Sequence, residues 1–306
     1  MSEKTIRIGT RDSELALWQA HTVQKKLQNL GYTTEIVAVK STGDIVLDKP
    51  LYEFGITGIF TKTLDVAMIN GQVDIAVHSM KDVPTALPIG IVQAAVLERA
   101  SSLDILIHKG KLDFLTGSGT IATGSLRRQA QWLHRYPNHT VVDLRGNVNS
   151  RIHKLDESDW SGAVFAAAGL ERINLKPDTF LNLNWMVPAP AQGAMLVVAM
   201  EDDSFCREAL AQLNHKETEI CTFIERQFLK ILEGGCTAPI GALATITDNE
   251  IHFEGNLLSV DGKEKLEIKK TIAIEEWSDF GKQCAEIILE NGGAQLMQTI
   301  KASLKK

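Results

Sequence analysis

Short apolar runs alternate with amphipathic stretches over the first 100 residues. Runs of four to six residues rich in β-branched side chains predict strands, and apolar positions spaced three and four apart predict helices. The predicted strands are Ile6–Gly9, Thr34–Val39 and Val73–His78, and the predicted helices are Glu14–Leu30 and Ile59–Asn70. The polar, glycine-containing stretch Ser41–Thr57 predicts a loop. This order is typical of an α/β domain with a mostly parallel sheet.

The same order begins again near residue 104. The predicted strands are Asp104–Ile107, Thr120–Ala122, Val141–Asp143 and Ala163–Ala166, and the predicted helices are Ser125–Arg135, Val148–Leu155 and one that opens at Ala168–Arg172. The strings IRIGTRDSELA and TIATGSLRRQA share a strand, a threonine, and a serine at a helix start with arginine nearby. We interpret this likeness as a sign of two similarly built α/β domains.

The pattern changes towards the C-terminus. PAQGAMLVVAM predicts a loop and a late strand that returns to the first domain, and a long helix is predicted over Glu217–Leu232. Alternating positions then predict antiparallel strands at Ala242–Thr247, Glu250–Leu257 and Lys265–Ile272, before a final helix from about Glu276. The turns carry Asp248–Asn249 and Asp261–Gly262, which suit hairpins. These elements predict a smaller α+β domain.

A chain of 306 residues is long for one hydrophobic core, so we expect two or three domains, and 44% hydrophobic content supplies enough apolar material for their cores. The boundaries predicted are 1–98 with 194–213 for the first, 99–193 for the second and 214–306 for the third.

A net charge of −6 and a pI near 5.8 argue against general nucleic-acid or membrane-surface binding. Neither a signal peptide nor an apolar run of about 18 residues is seen, so we expect a cytoplasmic protein without a membrane partner. The four cysteines show no CxxC spacing and no histidine cluster, which argues against a disulfide framework or a metal site.

Arginine is concentrated in one part of this acidic chain. Six of the eleven arginines fall between Arg127 and Arg172, a window that holds one of the 21 lysines. Guanidinium groups bind planar carboxylates through paired hydrogen bonds, so this concentration favours a pocket for an anion. The alternative is that these side chains lie on solvated helix faces. Two arginines at a helix N-terminus oppose the helix dipole, which favours the first interpretation for Arg127 and Arg128.

Polar side chains follow the predicted strands at their carboxyl ends, where α/β sheets bind ligands. They are Arg11, Ser13, His78, Ser79, Lys81, Asp82, Thr123, Ser125, Arg127, Arg128, Arg145, Arg151 and Arg172. A carboxylate among cations stays ionised, so Asp82 is suited to stabilising positive charge or exchanging protons. The alternative for Asp82 is a solvated polar loop.

In EGGCTAPIG, two glycines leave room beside Cys236 for a covalently attached group, while the alternative is a small buried side chain.

Taken together, eight strings in register identify a family resemblance. They are RIGTRDSELALWQA, STGD, DIAVHSMKDVP, ATGSLRRQ, LRGNVNSR, AAAGLER, PAQGA and EGGCTAPIG. The chain closely resembles the porphobilinogen deaminases, also called hydroxymethylbilane synthases. The likeness covers nearly the whole chain from about Ile6 and is weakest after about residue 245.

The resemblance implies two domains like the lobes of type II periplasmic binding proteins, and a third, α+β domain with a three-stranded antiparallel sheet. It implies one dipyrromethane cofactor per chain, held by a thioether at Cys236, and catalysis at Asp82. Residues expected to bind acetate and propionate side chains are Arg11, Ser13, Lys81, Thr123, Ser125, Arg127, Arg128, Arg145, Arg151 and Arg172. Other residues expected in the cleft are Asp44, His78, Ser79 and Gln192.

The implied enzyme deaminates four porphobilinogen molecules and joins them head to tail on the dipyrromethane. It then hydrolyses off the linear tetrapyrrole hydroxymethylbilane for haem and related tetrapyrrole biosynthesis. The resemblance also implies a monomer whose product passes to uroporphyrinogen-III synthase.

Two departures from the family pattern stand out. Glu53 and Thr57 occupy places where many members carry lysine, and Ala191 precedes Gln192 where glycine is commoner. We expect the alanine to be tolerated. The 41–57 loop lacks the two lysine charges that many members would bring to the active site. A rival class is a two-lobed solute receptor or effector-binding domain, which would not need Cys236. A nucleic-acid binder is a more distant rival, because the chain is acidic.

Overall fold

The structure is a computed structural model that describes residues 4–40, 61–232 and 238–304. Its strands are β1 Ile6–Arg11, β2 Thr34–Val39, β3 Ile75–Ser79, β4 Ile91–Val96, β5 Asp104–His108, β6 Thr120–Ala122, β7 Thr140–Val142, β8 Gly162–Ala166, β9 Phe180–Asn182, β10 Met195–Met200, β11 Ile240–Thr247, β12 Glu250–Leu258 and β13 Lys265–Ala273. Its α-helices are α1 Glu14–Asn29, α2 Lys62–Ile69, α3 Leu126–Arg135, α4 Val148–Glu157, α5 Ala167–Arg172, α6 Ser204–Ala211, α7 Lys216–Ile231, α8 Phe280–Ile288 and α9 Ala294–Ser303.

The described residues form two compact units, one of residues 4–40, 61–100 and 193–219 and the other of 101–192, 220–232 and 238–304. The three-domain boundaries expected from the sequence stay a prediction.

The first unit contains a five-stranded sheet in the order β2-β1-β3-β10-β4. Strand β1 pairs in parallel with β2 and β3, while β10 runs antiparallel to β3 and β4. Helix α1 packs Ala20, Val23 and Leu27 against the sheet because these apolar residues recur at helical spacing on its buried face. Strand β10 is the late strand that PAQGAMLVVAM predicts.

The second unit contains a sheet of the same design. Its order is β7-β6-β8-β5-β9, with β6 parallel to β7 and β8, and β5 antiparallel to β8 and β9. Apolar residues cover both faces of the sheet. One cluster includes Leu106, Ile121, Trp132 and Val164, and the other includes Ile105, Ala163, Phe165 and Leu170.

The second unit also holds the antiparallel sheet β11-β12-β13, whose strands pair in sequence order. Its core joins Phe228 of α7, Phe253 of β12 and Phe280 of α8, whose rings meet edge to face. The two similar α/β sheets and this third sheet confirm the predicted fold class.

Some details differ from the sequence prediction. Both large sheets are mixed, because β10 and β5 enter from distant parts of the chain and run against their neighbours. Strands β4 and β9 were not predicted. The final helix from Glu276 is instead a 3-10 turn at Ile274–Asp279 followed by α8 and α9, with a kink between the last two where Gly292 has φ 103°.

Candidate active site

Two neighbouring parallel strands of the first unit end at one pocket. Strand β1 ends at Arg11, one turn before α1, and β3 ends at Ser79 and continues into a 3-10 turn, Met80–Asp82. Because β1 and β3 pair in parallel, their carboxyl ends lie at the same edge of the sheet. The pocket is lined by Arg11, Ser13, Leu15, Ala16, Gln19, Thr61, Val77, His78, Ser79 and Asp82. Five of the predicted site residues are therefore brought together here.

A buried amide orients one wall of this pocket. Gln19 is 2% exposed, and its Nε2 donates a hydrogen bond to Ser79 Oγ over 2.9 Å. Sequence reasoning missed Gln19. The available signal was a polar residue on the buried face of α1, between Ala16 and Ala20.

The pocket holds a histidine without charge. Burial lowers the pKa of His78 to about 4, and the positive charge of Arg11 acts in the same direction. At neutral pH the positive charge of this wall therefore comes from Arg11. The predicted catalytic Asp82 is half-buried in the same pocket, and Lys81 precedes it on the 3-10 turn.

In the second unit, Arg127 and Arg128 meet a buried carboxylate. Arg127 Nη1 lies 2.8 Å from Asp104 Oδ2 and donates to the Val187 carbonyl over 2.8 Å. Arg128 places Nε and Nη2 at 2.9 and 2.8 Å from Asp104 Oδ1, and its Nη1 donates to the Val164 carbonyl over 3.0 Å. Both guanidinium groups are buried, so the alternative of a solvated helix face is wrong for these two residues.

Charge around Asp104 is unbalanced. Two guanidinium groups face one carboxylate, which leaves one net positive charge in a buried setting. Burial lowers the pKa of Arg127, although Asp104 opposes the shift. The Nε atoms of Arg127 and Arg145 are also buried without a hydrogen-bond partner among the described residues. Since buried donors normally have partners, both groups suit a site that receives an anion.

The segment 187–192 connects this cluster to neighbouring elements. Gln192 Nε2 donates to Asp104 Oδ1 over 3.0 Å and to the Ser102 carbonyl over 2.8 Å. The preceding Ala191 donates its backbone N–H to Glu225 Oε2 of α7 over 2.6 Å. Ala191 has φ 63°, a left-handed conformation that costs a non-glycine residue roughly 1–2 kcal/mol. A glycine at this position would adopt it freely.

Other predicted residues lie near these elements. Thr123 is buried, and Ser125 caps α3 by accepting a hydrogen bond from the Arg128 backbone N–H over 3.5 Å. Both line a second pocket, together with Gln129, Asp143 and residues near the C-terminus. Arg151 donates from Nε to the Gly146 carbonyl over 2.8 Å.

Arg172 ends α5 and is half-buried. Burial lowers its pKa to about 10, with Glu171 opposing the shift. Four further residues singled out in the sequence lie outside the described residues, namely Asp44, Glu53, Thr57 and Cys236.

The fold and these sites define an α/β protein in which guanidinium groups lie near carboxylates, Arg11 with Asp82 in the first unit and Arg127 and Arg128 with Asp104 in the second. Residues 6–208 match the family model for the "dipyromethane cofactor binding domain" of porphobilinogen deaminase, and residues 219–290 match the model for its C-terminal domain. The chain belongs to the porphobilinogen deaminase family.

Curated relatives extend over nearly the full length. The porphobilinogen deaminase of Desulfitobacterium hafniense is 40% identical over 308 residues and covers 99% of both chains. That of Chloroherpeton thalassium is 39% identical over 311 residues and covers 98% of both chains.

Solved structures share a weaker likeness. The VFT2 domain of Bordetella pertussis BvgS has a TM-score of 0.42 at 13% identity, over 68% of this chain and 86% of that one. The methionine-binding protein MetQ also has a TM-score of 0.42, at 16% identity, over 68% and 89%. Scores at this level add nothing to what the sheets themselves show.

Within the described residues, no helix has the length and apolar character needed to cross a membrane.

Proposed function

We propose that this chain deaminates porphobilinogen and joins four molecules head to tail on a dipyrromethane held by Cys236, releasing hydroxymethylbilane. Family membership supports the reaction, and the structural observation that carries the site is the pocket shared by Asp82, Arg11 and Ser13. In that pocket a carboxylate and a guanidinium face the same space, which matches a substrate that carries both a cationic aminomethyl group and two carboxylates.

Asp82 is proposed as the catalytic residue. Loss of ammonia from the aminomethyl group leaves an electron-poor carbon, and a carboxylate stabilises the positive charge that spreads over the pyrrole ring. Asp82 is also suited to moving the pyrrole protons as each ring is joined. Arg11 and Ser13 would bind a substrate carboxylate through the guanidinium and hydroxyl groups. His78 adds no charge at neutral pH, so it leaves the Asp82 carboxylate available to the substrate.

The residues of the second unit fit a carboxylated cofactor. The Nε donors of Arg127 and Arg145, which no described residue accepts, and the net positive charge beside Asp104 suit acetate and propionate groups. When bound, the dipyrromethane supplies a free pyrrole carbon as the point of chain growth. Further carboxylate-binding positions proposed are Lys81, Thr123, Ser125, Arg128, Arg151 and Arg172, and Asp44, Ser79 and Gln192 are proposed as additional site residues. Attachment at Cys236 rests on the sequence and family alone.

The proposal also covers location, oligomeric state, domain number and the fate of the product. We propose a cytoplasmic monomer built of three domains, whose product is passed to uroporphyrinogen-III synthase. The family and the absence of a membrane-crossing helix among the described residues are compatible with these points.

The test of the proposed function is Asp82→Asn, which keeps the shape of the side chain and removes its charge. We expect kcat to fall by at least about 100-fold, with KM changed only a few-fold. Intact mass should show that the cofactor is retained. Asp113→Asn is a matched control, since Asp113 also lies on a short 3-10 turn, in the second unit. A kcat within about threefold of wild type would remove Asp82 from the catalytic role.

A further inference from the structure

Asp104 is a buried carboxylate that the proposed reaction does not use directly. It opens β5 and is fully buried. Its Oδ1 accepts hydrogen bonds from Arg128 and Gln192, and its Oδ2 forms an ion pair with Arg127. A lone charge at the head of an apolar strand costs several kcal/mol unless it is compensated, so its presence needs a reason.

The contacts restrict how the two guanidinium groups can turn. Arg128 presents two N–H groups to one oxygen of Asp104 and a third to the Val164 carbonyl, which fixes the plane of its guanidinium. Arg127 is held between the other Asp104 oxygen and the Val187 carbonyl. Nη1 of Arg127 is engaged twice, whereas its Nε is buried and has no hydrogen-bond partner in the part of the chain that the structure describes. The arrangement therefore orients one donor that no described residue satisfies.

We propose that Asp104 is a positioning residue, which sets Arg127 and Arg128 for the carboxylates of the dipyrromethane and leaves the cluster one net positive charge. This inference rests on the proposed function, since it concerns the same arginines. One net charge suits one bound carboxylate, whereas two free guanidinium groups would suit two. Asp104 itself does not contact the reacting atoms.

A purely structural role for Asp104 is the competing interpretation, and the first unit offers a matched comparison. Asp74 accepts hydrogen bonds from Arg7 Nε over 3.0 Å and from Arg7 Nη2 over 2.8 Å. Asp74 lies outside the residues that line the first-unit pocket. Asn at either position removes one carboxylate from an Arg–Asp pair, so a role limited to stability predicts lower melting temperatures for both variants and normal cofactor loading.

The experiment compares full-length wild type, Asp104→Asn and Asp74→Asn. Intact mass measures the fraction of chains that carry the cofactor, both as purified and during incubation with porphobilinogen. The incubation is run at a temperature where circular dichroism shows all three proteins folded. We expect the loading rate of Asp104→Asn to fall at least about tenfold and that of Asp74→Asn to match wild type. Loading of Asp104→Asn at the wild-type rate would overturn the inference.

Arg128→Lys keeps the test decisive if Asp104→Asn does not fold. Lysine preserves the charge but loses the two N–H groups that Asp104 Oδ1 accepts. If Asp104 acts by orienting the guanidinium, Arg128→Lys should load several-fold more slowly; loading at the wild-type rate would contradict the inference.

Leucine variants separate this inference from the proposed function. Arg127→Leu and Arg128→Leu should both impair loading if the arginines bind carboxylates. If both leucine variants load normally, the proposed carboxylate-binding role fails as well. If they are impaired while Asp104→Asn loads normally, the inference about Asp104 alone fails.

Discussion

At the scale of single residues, His78 shows how burial decides which side chains in a cationic pocket carry charge. His78 is the second-to-last residue of the buried strand β3, and Arg11 lines the same pocket. Removing the ring from water penalises its protonated form, and the neighbouring guanidinium adds repulsion. The fold therefore binds a proton at His78 more weakly than the unfolded chain does.

This difference predicts a pH-dependent stability. His78 takes up a proton near pH 6.5 in the unfolded chain and near pH 4 in the folded chain. Its contribution to the free energy of unfolding is therefore complete above about pH 6.5 and is lost as the pH falls towards 4. Between pH 7.5 and 5.0 we expect His78 to account for a loss of about 2 kcal/mol in the free energy of unfolding. Urea titrations of wild type and His78→Gln at both pH values measure it.

The exposed His21 provides the control, because His21→Gln should leave the wild-type pH dependence in place. A His78→Gln protein that loses as much stability as wild type between the two pH values would contradict the assignment of the shift to His78.

Asp104 marks the limit of what the sequence reveals about single residues. Its position at the start of a predicted strand was correct, and a charge ahead of an apolar run is visible in the sequence. Its partners lie 23, 24 and 88 residues away, at Arg127, Arg128 and Gln192. The position of β5 between β8 and β9 in the sheet brings them together. Local patterning could therefore identify the arginines but not the carboxylate that holds them.

At the scale of elements, the turn of the β12–β13 hairpin packs against helix α3. His134 Nδ1 donates to the Gly262 carbonyl over 2.8 Å at the hairpin turn. Gly262 has φ 73°, and a Cβ there would lie 2.5 Å from the Ala130 carbonyl oxygen and 2.6 Å from the His134 nitrogen. The turn therefore requires glycine at position 262 for two reasons. One is the positive φ, and the other is the close approach to the helix that carries Arg127 and Arg128.

Gly262→Ala tests this contact, with Gly31→Ala as the matched control. Gly31 also has a positive φ, 93°, but a Cβ there meets nothing within 4 Å. We expect the control to cost about 1 kcal/mol from backbone strain alone. Gly262→Ala should cost about 2 kcal/mol more, because backbone atoms of α3 must move. Chemical denaturation of both variants measures the difference, and equal losses would show that the hairpin is not closely packed on α3.

Most elements could be predicted because their pattern is local. The hairpins of the third sheet were placed to within two residues, since alternation and the Asp–Asn and Asp–Gly turns mark them. Strands β4 and β9 were missed. Strand β9 lies within KPDTFLNLN, where Pro, Asp and Asn, which strands disfavour, surround a short apolar stretch, and IVQAAV in β4 interrupts its apolar run with a polar residue. The antiparallel directions of β5 and β10 depend on long connections, which no local pattern encodes.

At the scale of the whole molecule, net charge and site charge have opposite signs. The chain carries −6 overall, yet the second unit buries three of the arginines proposed to bind a polyanion, Arg127, Arg128 and Arg145. Burial strengthens a local interaction with an anion relative to the same contact at the surface, because the effective dielectric constant is lower. Overall acidity argues against general nucleic-acid binding, but it does not describe the site.

The cofactor gives a whole-molecule prediction, because a thioether adds mass to one cysteine in the chain. Intact wild-type protein should exceed its sequence mass by two linked pyrrole units, and the added mass should map to the peptide containing Cys236. Cys236→Ser should match its sequence mass and lack turnover, since a hydroxyl at this position would not form the thioether.

A second cysteine supplies the control for this experiment. Cys206, Cys221 and Cys284 are buried free thiols, and burial raises the pKa of Cys284 to about 11, which keeps it protonated and unreactive. Cys284→Ala should therefore retain the full added mass and cost only stability, on the order of 1 kcal/mol for the lost packing. Added mass on Cys236→Ser, or its loss from Cys284→Ala, would place the attachment elsewhere. Either result would contradict the proposed attachment of the dipyrromethane at Cys236.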